Sequence, residues 1–250
     1  MSEYEKNITS DTVYKKHQKI IDDFSFNRQV VDVFPDMIER SIPGYSNIID
    51  GVGRLAAKFT VANSNVYDLG CSLGAVSLSI AKHNRLHDIQ IIGIDNSPEM
   101  VERCQRHVDS YTYATPISIR EANIVDFDIA NASVIVMNFT LQFIEPKLRQ
   151  NLITTLFNAL LPGGILILSE KIKLGNEVMD SAIIDLHHDF KRENGYSNLE
   201  ISQKRTALEN VMILDEYSLH EKRLLETGFE AVSILYQQFN FVSFFAIKGQ

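Results

Sequence analysis

The chain has 250 residues, with 24 Lys+Arg against 32 Asp+Glu and a formal net charge of −8, which disfavours a protein whose main task is gripping nucleic-acid phosphates. Its 45% hydrophobic residues are enough for a core, and Cys71 and Cys104 lack the spacing of a disulfide scaffold or a cysteine-rich zinc module, which points to a reducing, cytoplasmic setting. No apolar run approaches the ~20 residues of a membrane span, and Met1 to Lys19 carry no apolar leader segment.

Residues 1–24 are polar and mixed in charge, and read as a loose helix or a disordered lead. Residues 30–59 read as two helices broken by Pro35 and by Pro43-Gly44. A strand at 64–69 runs into Gly70, a short loop and a helix at 75–82. A buried strand at 89–94 ends at Asp95, and Ser97-Pro98 then cap and start the next helix. Strands follow at 116–120 and 133–138, a helix at 146–160, and a strand at 165–169 after Gly163-Gly164. This alternation predicts a mostly parallel α/β sheet. Residues 177–217 read as a long helical insertion covering one end of the sheet, a lid. Residues 231–248 hold two strand-like runs with no room for a crossover helix, so they pair antiparallel. The expected organisation is therefore one α/β domain over residues 25–250, preceded by the polar lead.

Chemistry concentrates at the strand ends. In Tyr67-Asp68-Leu69-Gly70-Cys71-Ser72-Leu73-Gly74, the two glycines permit close backbone approach to a ligand, and the free N–H groups offer donors. The spacing is G-x-x-x-G, so the pyrophosphate-binding fingerprint of dinucleotide enzymes is missing. Asp95, 25 residues after Gly70, stands where an acid accepts both hydroxyls of a ribose. Strand, glycine loop, helix, strand, acid and helix is the order of class I S-adenosyl-L-methionine (SAM) enzymes, a Rossmann-like sheet binding a ligand without phosphates. Asp68 either orients the amino group of that ligand or ties the loop backbone. Asn138-Phe139-Thr140-Leu141 close the fourth strand without the N-P-P-Y pattern that grips a base nitrogen. Asn123 and Ile124, ending the third strand, are placed to meet adenine. Cys71 has no neighbouring base and reads as a small residue, not a nucleophile. His187 and His188 point to different helix faces, so no metal is expected.

From about Phe24 to Ala246 the sequence resembles the bacterial carboxy-S-adenosyl-L-methionine synthases. The resemblance rests on Val33-Phe34-Pro35-Asp36-Met37-Ile38, on Pro43-Gly44-Tyr45-Ser46-Asn47-Ile48-Ile49, and on the 67–74 loop. It continues in Asp95-Asn96-Ser97-Pro98, 138–143, His187-His188-Asp189-Phe190-Lys191-Arg192, Asn194-Gly195-Tyr196 and Ile201-Ser202-Gln203-Lys204-Arg205. It implies a homodimer that transfers the carboxyl group of prephenate to the methyl carbon of SAM, releasing phenylpyruvate, in the route to a modified wobble uridine of transfer RNA. Transfer RNA itself is not expected to bind. The positive sulfur makes the methyl carbon acidic, and a water-excluding pocket protects the transferred group.

By the same resemblance, SAM contacts fall on Tyr45, Gly70, Cys71, Ser72, Asp95, Asn96, Asn123, Ile124, Asn138 and Arg205. Arg205 of the Gln-Lys-Arg run takes the new carboxylate and is the expected catalytic residue. The chain departs from the family's Gly-Asp-Ile at Ala122-Asn123-Ile124, where the amide oxygen of Asn123 replaces a carboxylate as acceptor. The alternatives are a methyltransferase acting on a small carboxylate and a SAM-binding module without catalysis. Fold alone does not separate the three.

Overall fold

The computed structural model describes residues 9–250. Its strands are β1 (Ser64–Leu69), β2 (Ile89–Asp95), β3 (Ile117–Glu121), β4 (Ala132–Asn138), β5 (Leu160–Lys171), β6 (Ala231–Gln238) and β7 (Phe241–Ile247). They form one sheet in the order β3-β2-β1-β4-β5-β7-β6. β1 to β5 pair in parallel, and β7 runs antiparallel between β5 and β6. The helices are α1 (Arg28–Glu39), α2 (Tyr45–Phe59), α3 (Ala75–His83), α4 (Pro98–Asp109), α5 (Pro146–Ala159), α6 (Glu177–Glu193), α7 (Asn198–Leu208) and α8 (Tyr217–Thr227).

The apolar runs explain the layers. Side chains alternate across a strand, so Ile135 and Met137 join Leu69, Ile94 and Leu156 on one face, while Val134 and Val136 join Ile48, Val52 and Ile80 on the other. A parallel strand covered on both faces has no solvated side, and Ile91, Ile94 and residues 134–137 are almost wholly buried. Each such aliphatic side chain contributes ~1.5–3 kcal/mol by leaving water. The chain reverses its direction of travel across the sheet between β1 and β4, and a crevice opens outside the carboxyl ends of strands at such a point.

Three local expectations change. Pro35 does not break the first helix: α1 runs through it, held by the packing of Val30, Val31, Val33, Phe34 and Met37. The break falls at Pro43-Gly44, where Gly44 adopts φ +66° with its open side against the Tyr236 hydroxyl. The 177–217 stretch is two separate helices, parted by Gly195 at φ +86° and by a Ser197/Glu200 capping box, before α8 begins. Residues 9–24, expected as a loose lead, are tied down although they form no helix; residues 1–8 of that lead lie outside the described residues. Asp11 is buried, its N–H donates to Asp36 Oδ2 at 2.6 Å and its carboxylate accepts from the Tyr196 hydroxyl. Gln203 donates to the carbonyls of Tyr14 and Lys16, and Phe24 N–H donates to Ala207 O at 2.8 Å. This segment is thus a strap laid across α1 and α7. No helix among the described residues is long and apolar enough to cross a membrane.

Candidate active site

The loop leaving β1 is shaped by backbone geometry. Gly70, Ser72 and Gly74 have φ of +77°, +48° and +80°. A Cβ on Gly70 would lie 2.4 Å from Thr140 Oγ1, whose hydroxyl donates to Leu69 O at 2.9 Å, so only glycine fits between the ends of β1 and β4. Asp95, ending β2, accepts Ser72 N–H on Oδ2 (2.9 Å) and Ser97 N–H on Oδ1 (3.0 Å). These bonds leave each oxygen a second lone pair for a ligand hydroxyl. Burial pushes the Asp95 carboxyl above its ordinary range, against the pull of those backbone bonds.

Asp68 both ties the backbone and keeps a free oxygen. Its Oδ2 accepts from Ser77 N (3.0 Å) and Ser77 Oγ (2.7 Å), while buried Oδ1 has no partner. Burial lifts its pKa to about 6, with the Ser77 bonds opposing. Asn138 Oδ1, at the end of β4, is also buried and unpartnered. Two orphaned acceptors on neighbouring strands suit an ammonium, because an unmet buried acceptor costs ~1–3 kcal/mol until something donates to it. Asn123 spends its amide locally: Oδ1 accepts Val125 N–H and Nδ2 donates to Asp126 Oδ2, both at 3.1 Å. Cys71 is buried, and its contact with Cys104 followed by desolvation raises its thiol pKa well above normal, so it stays protonated.

A cavity of about 610 Å³ opens onto these groups. Tyr45, Gly70, Cys71, Ser72, Asp95, Asn96, Asn123, Ile124 and Asn138 all line it, so the strand ends bring these sequence candidates together. Phe26, Phe34, Phe139, Phe143 and Phe241 also line it. Its far wall comes from the end of β5 and from α6 and α7, through Lys171, His187, Lys191 and Lys204. The residues quoted from the sequence gave no role to these cations. His187 and Lys191 stand four apart, the spacing that puts two side chains on one helix face, and that was the signal available.

Arg205 stands apart from the other candidates. It is exposed on α7 and does not line the cavity, whereas Lys204 beside it is 7% exposed and does. Successive helical residues are ~100° apart, so Lys204 and Arg205 leave α7 in different directions. Arg205 still acts at a distance, since its charge is among the causes that lower the pKa of Lys171 and of His188. His188 is partly exposed, and burial leads the causes that depress it. No group of residues able to hold a metal ion occurs among the described residues.

Residues 66–164 match the family profile described as a methyltransferase domain. The carboxy-S-adenosyl-L-methionine synthase of Colwellia psychrerythraea is 52% identical over 239 residues, covering 96% of this chain and 98% of that protein. The synthase of the same name from Photorhabdus laumondii is 47% identical over 249 residues, 100% of this chain and 99% of that one. Among solved structures, an O-methyltransferase family protein of Burkholderia thailandensis superposes with a TM-score of 0.65 at 16% identity, over 90% of this chain and 61% of that one. A SAM-dependent methyltransferase of Methanosarcina mazei superposes with a TM-score of 0.58 at 16% identity, over 77% and 95% of the two chains. At that identity the superpositions speak for the class I methyltransferase fold alone, while the full-length relatives go further. The chain belongs to the carboxy-S-adenosyl-L-methionine synthase family.

Proposed function

We propose that this protein makes carboxy-S-adenosyl-L-methionine from SAM and prephenate, with phenylpyruvate and water as the other products. The observation that carries this reading is a single cavity that is lined both by the Gly70–Ser72 loop and Asp95 and by Phe26, Phe34, Phe139, Phe143 and Phe241. A carboxyl group in transit is lost to water unless the space between donor and acceptor is dry. When bound, SAM supplies a methyl carbon acidified by the neighbouring sulfonium.

The chain's own residues fit that ligand. Asp95 offers its remaining lone pairs to the ribose hydroxyls, and Asn96 stands beside it. The 70–72 backbone edges the amino-acid part, and the orphaned oxygens of Asp68 and Asn138 accept from its ammonium. Ile124 packs against the adenine. Asn123 accepts from the adenine amino group with the second lone pair of its oxygen. Cys71 fills the space behind the loop. Tyr45, the first residue of α2, closes the cavity over the cofactor.

α6 and α7 serve as the lid of a single α/β domain, held shut by the 9–24 strap. Val178, Met179 and Leu186 on α6 are 79%, 55% and 47% exposed, an apolar surface that supports a homodimer built on the lid. Arg205 lies on the same lid, and we assign it to the product carboxylate from the mouth of the cavity once that surface is covered. The acidic chain does not bind transfer RNA directly, and its product is passed to the enzyme that modifies the wobble uridine. The buried free thiols Cys71 and Cys104 fit a cytoplasmic protein. The test is mass spectrometry of purified protein incubated with SAM and prephenate. Carboxy-SAM and phenylpyruvate in equal amounts support the reading, and S-adenosylhomocysteine with a methylated acid refutes it.

A further inference from the structure

The far wall of the cavity is out of electrostatic balance. Lys171, Lys191 and Lys204 converge on it from β5, α6 and α7. Lys191 and Lys204 are 9% and 7% exposed. Among the described residues one carboxylate comes within ion-pair distance of any of them: Asp11 Oδ2, 4.0 Å from Lys204 Nζ; Asp36 lies farther off and is itself paired with Arg40 at 2.9 Å. The Asp11 carboxylate is already engaged by the Tyr196 hydroxyl. Lys204 Nζ also donates to Ser41 Oγ at 3.0 Å.

Lys171 has a neutral partner. His187 Nε2 lies 2.8 Å from Ser41 O, which can only accept, so the ring proton sits on Nε2 and the Nδ1 lone pair faces Lys171 Nζ at 3.4 Å. Burial, followed by the charges of Lys171 and Lys191, keeps this ring unprotonated. The Lys171 ammonium also lies 5.4 Å from the Phe241 ring centre. Each ammonium has three N–H donors, so most of those on this wall remain free to face the cavity.

A structural cluster would be neutralised by its own acids, because an unpaired buried charge is costly. With Asp36 and Arg40 offsetting each other, three lysines share one carboxylate, Asp11, and the wall is left with an excess of positive charge that a dianion would offset. We propose that Lys171, Lys191 and Lys204 form the binding site for the two carboxylates of a dicarboxylic substrate, with His187 as a positioning residue that aims Lys171. This deepens the reading above, on which it rests for the identity of that substrate as prephenate. It also separates the cavity into a cofactor end at the strand tips and a substrate end at the lid, with the aromatic chamber between them.

The experiment uses the full chain saturated with S-adenosylhomocysteine, which has no methyl group to react, and titrates prephenate by calorimetry. The variants are Lys171→Met, Lys191→Met, Lys204→Met, the Lys171→Met/Lys204→Met double, and the corresponding Lys→Gln singles should any methionine variant fail to fold. Each single is expected to weaken prephenate by at least tenfold and the double by at least a hundredfold, ~1.4 kcal/mol per decade, with S-adenosylhomocysteine affinity held within about twofold. Prephenate affinity within about threefold of wild type in every variant, double included, overturns the proposal. So does a loss of S-adenosylhomocysteine affinity instead, which would give the lysines to the cofactor's own carboxylate.

The two readings fail separately. If the loaded wild type binds prephenate through the lysines but forms no carboxy-SAM with SAM, the substrate end stands and the proposed reaction falls. If carboxy-SAM forms and the variants keep wild-type kcat/KM for prephenate, the reaction stands and this site falls.

Discussion

The two ends of the cavity are built by different rules. At the strand tips, backbone does most of the placing: the positive φ angles at Gly70 and Ser72, the N–H bonds that aim Asp95, and the Ser77 N–H that joins the Ser77 hydroxyl in fixing one oxygen of Asp68. At the lid, the cations hang on long flexible stems from three separate elements, and few partners constrain them. The first end suits a ligand of constant shape. The second suits one that arrives with charge and leaves altered.

That contrast makes different losses at the two ends. The largest effect is expected at the lid. The Lys171→Met/Lys204→Met double should lower kcat/KM for prephenate by at least about a hundredfold while leaving the KM for SAM near wild type, since each lost charge contact costs ~1.4 kcal/mol or more. Steady-state kinetics with each substrate varied in turn will show it, and a rise in the SAM KM instead would erase the division between the ends.

Arg205→Ala comes next. A guanidinium that meets the product carboxylate only when the lid is covered should cost at least about thirtyfold in carboxy-SAM formation, with Arg205→Lys recovering part of it. Calorimetry with S-adenosylhomocysteine should find the cofactor affinity of both variants unchanged. Turnover of Arg205→Ala at the wild-type rate would return Arg205 to the solvated surface it occupies in the single chain.

At the cofactor end, Asp95→Ala should weaken SAM by at least about tenfold, because it removes charge-assisted acceptors worth ~1.5–3 kcal/mol each. Asp95→Asn should fall between it and wild type. Prephenate affinity measured at saturating S-adenosylhomocysteine should not follow.

The lid end alone should depend on pH near neutrality. Desolvation foremost, together with neighbouring positive charge, brings Lys171 and Lys204 down to about 7; desolvation brings Lys191 to about 8, Asp11 opposing. His187 and His188 on α6, Arg205 on α7, Arg40 just after α1, Asp36 and Asp11 are the other charged or titratable groups around them. A lowered lysine pKa means that the charged form is present below it and is lost as pH rises through it. Prephenate affinity should therefore decline as pH rises above about 7, by up to about tenfold per unit for each proton taken up on binding. Calorimetry in buffers of different ionisation enthalpy should detect that uptake at pH 8, and a flat profile from pH 7 to 9 would contradict it.

The smallest effect is expected at Asn123. Asn123→Asp keeps the acceptor and adds charge, so SAM affinity should stay within about threefold of wild type. A larger change would show that the charge state of this acceptor matters more than its lone pairs.

The same contrast explains what the sequence disclosed. Gly70, Gly74 and Asp95 are legible because a tight turn, a helix start and a strand end each demand particular residues within a few positions. The mostly parallel sheet with its antiparallel end followed from apolar runs of strand length and from the missing crossover between β6 and β7. Pro35 misled, because the packing of α1 against its neighbours outweighs one lost hydrogen bond. The lysine wall could not be read in the same way. Lys171, Lys191 and Lys204 meet only through tertiary folding, and nothing local marks a lysine as inward-facing. The Gln-Lys-Arg run drew attention to the arginine, but α7 turns its neighbour into the cavity.

The central claim is that a carboxyl group crosses the aromatic chamber from prephenate to the methyl carbon of SAM. Its most direct test gives the purified protein SAM and prephenate labelled with ¹³C in the ring carboxyl, and follows the nucleoside products by mass spectrometry. Carboxy-SAM carrying the label, formed in step with unlabelled phenylpyruvate, is the result this account predicts. Carboxy-SAM without the label, or S-adenosylhomocysteine in its place, would contradict it.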